Sequence, residues 1–143
     1  MRSVDIRLMS PIMNQVLLNK ELIAIQQDTS HTFRQITSCG DDAWVRELED
    51  GRLAVAVVNM GSKKKTVSVC FSDVGWAQPT ANVRDIWNNA TSGVSGGKVS
   101  SPKELDSHDN FLVVLSSSAL GRWRLRDGAE VEAARRAPRA AVR

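Results

Sequence analysis

The groups in this sequence that could do chemistry are its carboxylates, two histidines, two cysteines and a set of tryptophans. Two carboxyl groups held close together can divide acid and base work between them, and Asp28, Asp41, Asp42, Asp73, Asp85, Asp106 and Asp109 supply candidates. Most of these fall where strands or helices should end. An aspartate there accepts nearby backbone N–H groups, so capping and turn formation are their expected work. His31 and His108 have no cysteine or histidine beside them at zinc-site spacing, so no metal is expected, and no cofactor either. Cys70, centred in "VSVCFS", has the setting of a buried small hydrophobe. Lys63, Lys64 and Lys65 read as a solvated turn tip rather than an anion site. Asn89-Ala90-Thr91 is a glycosylation sequon on an expected loop, meaningful only in a secretory pathway.

The tryptophans suggest a different chemistry, because an exposed indole face stacks on a sugar ring. Trp44, Trp76 and Trp87 are placed for this on strands or at their ends, with Trp44 and Trp87 the sugar-stacking candidates. The competing reading is packing: a large apolar body with one N–H donor commonly closes a sandwich edge or faces a partner domain.

The elements that must carry these residues divide into two kinds. Ser10 is a good N-cap, Pro11 suits the first helical position, and Ile12, Val16 and Leu17 recur at helical spacing. Asn19 can end that turn and cap a second one over Glu21 to Gln26. From Thr32 to Ser116 the period changes to that of strands. In "AWVRELEDGRLAVAVVN", Trp44, Arg46 and Leu48 should share one face, with Val45 and Glu47 on the other. Glu49-Asp50-Gly51 makes a hairpin turn. A second hairpin is expected where "RLAVAVVN" and "TVSVCFS" flank "MGSKKK". Further strands read from Ala81 to Trp87, Val99 to Leu105 and Asn110 to Leu115, with Pro102 making the middle one an edge. Short strands with turn signals at this spacing predict an antiparallel β-sandwich.

Composition bounds the rest. The chain of 143 residues, 42% hydrophobic, suffices for one core of ordinary size. Its longest apolar run, Leu53 to Val58, is far short of the roughly 18–20 residues of a bilayer span. The first residues, interrupted by Asp5, Arg7 and Pro11, make a poor signal peptide. Beyond Gly121 seven arginines face Asp127, Glu130 and Glu132, so the net charge of +3 resides in the tail. That tail is rich in Ala and Arg and is expected to be disordered, with a short helix from Ala129 to Ala137 as the alternative. Without aromatic residues interleaved beyond Trp123, nucleic acid is not its expected partner.

Four segments, "SVDIRLMSPIMNQVLLNKELIAIQQD", "DDAWVRELEDGRLAVAVVNMGSKKKTVSVCFSDVGW", "VRDIWNNATSG" and "ELDSHDNFLVVLS", resemble in this order and at these separations the C-terminal end of glycoside hydrolase family 27, the family of α-galactosidases and α-N-acetylgalactosaminidases. "NKELIAIQQD" and "VRDIW" carry most of the likeness. The resemblance implies that residues 1–30 are the remnant of the last strand–helix unit of a (β/α)₈ barrel, that residues 31–118 are an antiparallel β-sandwich, and that 119–143 are an added tail. A retaining glycosidase needs two carboxyl groups about 5–5.5 Å apart. In the family these are aspartates of earlier barrel strands, and neither motif occurs here, so no catalytic or substrate-binding residue carries over and the chain is expected to be inactive alone. Asp5 sits in "VDIR", where the family usually has Asn in place of Val4. His108 matches a family histidine, read as structural. The family's extracellular or lysosomal history permits one disulfide between Cys39 and Cys70. The implied partner is the missing barrel or another chain, met through residues 1–27 and their apolar Ile12, Val16, Leu17, Leu22, Ile23 and Ile25. A galactoside would be bound only by the intact enzyme. The alternative is a stand-alone carbohydrate-binding or interaction module.

Overall fold

The computed structural model describes residues 8–117 together with 123–124 and 130–131. Asp5 and most of the arginine-rich tail lie outside these residues. Ser10 caps α1 (Pro11–Leu17), its side chain accepting the Met13 N–H. Asn19 caps α2 (Lys20–Gln27), its Oδ1 accepting the N–H groups of Glu21 and Leu22 at 3.1 and 3.0 Å. Both caps fall where Ser-Pro and Asn predicted them.

The strands in chain order are β1 (Arg34–Ser38), β2 (Asp41–Glu47), β3 (Leu53–Val58), β4 (Ser68–Cys70), β5 (Thr80–Asp85), β6 (Ala90–Ser95), β7 (Lys98–Ser100) and β8 (Asn110–Ser116), followed by β9 (Trp123–Arg124) and β10 (Glu130–Val131). A six-stranded sheet runs β1-β2-β3-β8-β5-β6 with every neighbour antiparallel. β4 and β7 pair antiparallel as a small second sheet. Between the two lies a core of Val55, Val57, Val67, Val69, Phe71, Val113 and Leu115 with their neighbours. The mainly β, antiparallel sandwich with a minor helical portion is therefore the fold the sequence predicted. β9 and β10 pair antiparallel, so residues 130 and 131 are strand where a helix was the alternative.

The alternation expected in β2 holds. Ala43 and Val45 face the small sheet, while Arg46 and Leu48 face the other side. In β3 and β8 it is blurred because both faces are covered, and strands buried on both faces read as near-continuous apolar runs. The second face carries Ala54, Leu112 and Val114, packed with Leu48 and Ile86 under Ile25 of α2. Ala54 and Ala56 are small enough to let the helix approach. Arg46 donates through Nη1 to the Ile25 carbonyl at 3.0 Å, satisfying a helix-end acceptor. The six apolar residues expected to face a partner thus divide, with Ile23 half-buried between the two groups. Leu22 and Ile25 pack on the sheet, whereas Ile12, Val16 and Leu17 are exposed.

The hairpin expected around "MGSKKK" does not form. β3 already has β2 and β8 on its two edges, so the chain after it crosses to the small sheet, where β4 pairs with β7. Fully buried Asn59 holds this crossing. Its Nδ2 donates to the carbonyls of Lys63, Leu105 and Asp106 at 2.9–3.1 Å, and its Oδ1 accepts the Gly61 N–H at 3.1 Å. The strand expected from Val99 to Leu105 is shorter, ending at Ser100, because Pro102 cannot donate to a ladder. Leu105 makes only an isolated bridge to Lys65. β6 was not predicted as a strand.

Asp28 ends α2 and ties it to the sandwich. Its partial burial pushes the pKa up, but hydrogen bonds from the Ser30 hydroxyl, the Glu49 N–H and the Ser30 N–H, with the charge of Arg46, outweigh this and bring it from 3.8 to about 2. A lowered carboxylate pKa stabilises the fold above its unfolded value, and that stability is lost as pH falls through the folded one. The thermal midpoint should therefore fall between about pH 4 and pH 2 in the wild type, and Asp28→Asn should narrow that fall; equal acid profiles would refute the assignment. Ile25→Ala should cost about 2–5 kcal/mol in urea unfolding, whereas Ile12→Ala should change stability by under about 0.5 kcal/mol. Equal losses would mean that α1 is as much part of the core as α2.

Candidate functional site

The sequence candidates do not converge on one centre. Trp44 and Trp87 both belong to the outer side of the six-stranded sheet, the side on which α2 lies. Trp44 is half-buried, paired with Gln35 on one side and Ala56 on the other. Trp87 is half-buried against the outer cluster, and its Nε1 donates to Asn110 Oδ1 at 2.8 Å. Both are packing residues first. Trp76 instead packs beside the core between the sheets, with Nε1 donating to the Thr80 carbonyl at 3.0 Å.

Two open spaces accompany these residues. One, of about 560 Å³, lies between α1 and the sheet end and is lined by Ile12, Val16, Trp87, Pro102, Asn110 and Phe111 among others. On and beside α1 apolar residues are strongly exposed: Leu8 at 83%, Ile12 at 73% and Leu18 at 71%. The other, of about 490 Å³, opens at one end of the sandwich and brings together His31, Thr32, Arg34, Glu47 and Trp76. Sequence reasoning missed Arg34 and Glu47, which line the same space because the register sets Arg34 beside Val45 and Glu47 falls two residues further along β2 on the same face.

Cys39 and Cys70 form a disulfide with Cα atoms 5.4 Å apart. Cys39, at φ 52 in the β1–β2 turn, belongs to the large sheet and Cys70 to the small one, so the bond staples the sheets together. Closing a loop with a sequence separation of 31 stabilises a fold by about 3–4 kcal/mol in the chain-entropy account. Asp73 lies within ligand reach of both sulfurs, but these are covalently joined and its Oδ2 accepts the Cys39 N–H at 2.9 Å. The group is a turn clamp.

The other aspartates behave as caps and ion pairs. Asp85 Oδ1 accepts the N–H groups of Trp87 and Asn88, each at 3.0 Å, shaping the turn into β6. Of the lysine cluster, Lys65 pairs with Asp41 and Lys64 with Asp106 at 3.0 Å. Arg84 grips Glu21 of α2 through two hydrogen bonds, at 3.0 and 2.5 Å, and this hydrogen-bonded carboxylate raises its pKa further despite the cost of burial. The same guanidinium reaches the sequon, donating to Asn89 Oδ1 and, at 3.3 Å, to Thr91 Oγ1. Asn89 is exposed in a tight turn at φ 52. His108, in the turn before β8, donates its backbone N–H to the Asn59 carbonyl at 2.7 Å.

Residues 40–115 match the family model of the alpha galactosidase C-terminal beta sandwich domain. The chain is 33% identical over 115 residues to the α-galactosidase of Cyamopsis tetragonoloba and 35% identical over 115 residues to that of Coffea arabica. Each match covers 78% of this chain but only 28% and 30% of the relative. Among solved structures, a family 27 β-L-arabinopyranosidase from Geobacillus stearothermophilus superposes with a TM-score of 0.67 at 26% identity, covering 78% of this chain and 25% of that one. α-Galactosidase I from Mortierella vinacea shares the fold with a TM-score of 0.66, over 78% of this chain and 30% of that one. The register, the two-sheet core and these matches agree: the chain belongs to glycoside hydrolase family 27, as its α-galactosidase C-terminal β-sandwich domain.

Proposed function

We propose that this chain serves as the non-catalytic sandwich of an α-galactosidase-like retaining hydrolase and packs through α1 on a (β/α)₈ catalytic barrel. The observation that carries this reading is the exposure of apolar residues on and beside α1 among the described residues, Leu8, Ile12, Leu17 and Leu18, with Ile12 and Val16 lining the 560 Å³ space. Exposed apolar side chains clustered in this way favour association. The chain spans under a third of the length of the curated relatives it matches, which agrees with a barrel as the other party. Hydrolysis of terminal α-galactosides, with or without N-acetylgalactosamine specificity, would then belong to the assembled enzyme. The disulfide favours an oxidising compartment such as the extracellular space or the lysosome. No described helix is long and apolar enough to cross a membrane.

The purified chain should not release chromophore from a nitrophenyl α-galactoside above the buffer rate. Turnover that survives repurification and vanishes on mutating one aspartate of this chain would overturn the proposal. In light scattering the chain should self-associate through the α1 surface in the absence of a barrel, and a double Ile12→Glu, Leu17→Glu substitution should make it monomeric without lowering its thermal midpoint. A chain that is already monomeric would count against a docking surface at α1.

A further inference from the structure

The two sheets of the sandwich differ in strand length. β4 and β7 have three residues each, against seven in β2, six in β3 and seven in β8. The small sheet is pinned at the Cys39 end of the large one by the disulfide and by Ser38 Oγ, which accepts the Cys70 N–H at 2.9 Å. The opposite end of the inner face therefore extends beyond its strand cover. There the register sets Arg34 beside Val45 and Glu47 beside Leu53, all on one face. The loop through Val74, Gly75 and Trp76 walls the remaining side and leaves the space of about 490 Å³. Gly75 supplies the φ of +85 that this loop needs, and the loop lies beside Arg34, with Nη2 3.5 Å from where a Cβ on Gly75 would stand.

From this arrangement we infer that the open end of the sandwich is a glycan-binding cleft, taking one neutral hexopyranose residue between the Trp76 indole and the Arg34–Glu47 pair. The inference is independent of the barrel reading. Among the described residues, the side chains of Arg34, Glu47, His31 and Thr32 have neither a hydrogen-bond nor an ion-pair partner, although all line the same space. Adjacent sugar hydroxyls both donate and accept, so one pair can donate to the Glu47 carboxylate and accept from the Arg34 guanidinium, in charge-assisted bonds stronger than neutral ones. The two charges cancel, which favours an uncharged ligand over an anion. Trp76 has its N–H committed to the Thr80 carbonyl. This fixes the ring and leaves its face, the part suited to the C–H side of a pyranose, as what a ligand can use. The volume falls within the roughly 300–1,000 Å³ of small-molecule sites.

Isothermal titration of the full chain with methyl α-galactoside, methyl α-glucoside and methyl α-mannoside tests this. Saturable heat is expected with at least one of them. Arg34→Ala and Glu47→Gln, both at exposed positions where the fold should survive, are each expected to weaken it about tenfold or more. Trp76→Ala should abolish it, with Trp76→Phe retaining part. Trp44→Ala and Trp87→Ala should leave it unchanged. No saturable heat with any of the three glycosides, or binding lost on Trp87→Ala but kept in Arg34→Ala and Glu47→Gln, overturns the inference. Either result leaves the barrel proposal standing, because that is read from light scattering at α1.

Discussion

Strands β3 and β8 carry apolar side chains on both faces, and the rest of the fold is arranged to keep both faces dry. Val55, Val57, Phe111, Val113 and Leu115 point one way, and Ala54, Leu112 and Val114 the other. Burying a large aliphatic or aromatic side chain contributes roughly 1.5–3 kcal/mol, so a single cover would leave much of this unused. Two different covers are built. The inner one is a three-residue ladder, too small to hold its place by its own hydrogen bonds, and it is fixed by the Asn59 crossing at one point and by the Cys39–Cys70 bond at another. The outer one is a helix of eight residues, short for independent stability. It is held by Ile25 packing, by the Arg84–Glu21 grip and by the Arg46 bond to its last turn.

Local signals in the sequence identified the parts whose causes are local. Ser10-Pro11 and Asn19 start helices through side chains that bond within three residues. Asp50-Gly51 makes its turn because glycine accepts φ 78. The false hairpin at "MGSKKK" shows the limit. Nothing local in that stretch says that Asn59 will bond carbonyls 46 and 47 residues away. A buried amide between two apolar runs was a signal that could have been read, since such a group must find several partners. β6 escaped for the opposite reason. Ala90–Ser95 is an exposed edge strand with Val94 as its only large apolar side chain, so it carries almost no alternation to detect.

The candidate site was less legible than the fold. Tryptophans are conspicuous in a sequence, but their types say nothing about which face of a sheet they occupy. Topology sends Trp44 and Trp87 to the outer face, and Trp76 to the open end of the inner one. Arg34 and Glu47 had no motif at all, because what brings them to one space is the pairing of Arg34 with Val45, two residues before Glu47 on the same face of β2. The cysteines lay between these extremes. Their pairing depends on a crossing of sheets that the expected hairpin would have placed elsewhere, so the resemblance to a secreted or lysosomal family was a better guide than the pattern around Cys70.

The inner and outer covers differ in how firmly they are fixed, and this separates two kinds of recognition. On the inner side a covalent bond and a fully buried amide set the small sheet, and the loop that follows it is closed by the Trp76 N–H donating to the Phe71 carbonyl at 2.8 Å, so the Trp76 indole is held before any ligand arrives. Preorganised groups lose little freedom on binding, which suits a small polar ligand with few contacts. On the outer side the restraints weaken toward the N-terminal end: α2 is clamped by side chains, while α1 has no buried residue. A weakly restrained apolar helix suits a large partner, which supplies enough area to order it. Strands β3 and β8 lie between the two regions and are buried on both faces. Occupying one should therefore do little to the other, and a sandwich of this design can be anchored through its outer face while its open end remains accessible.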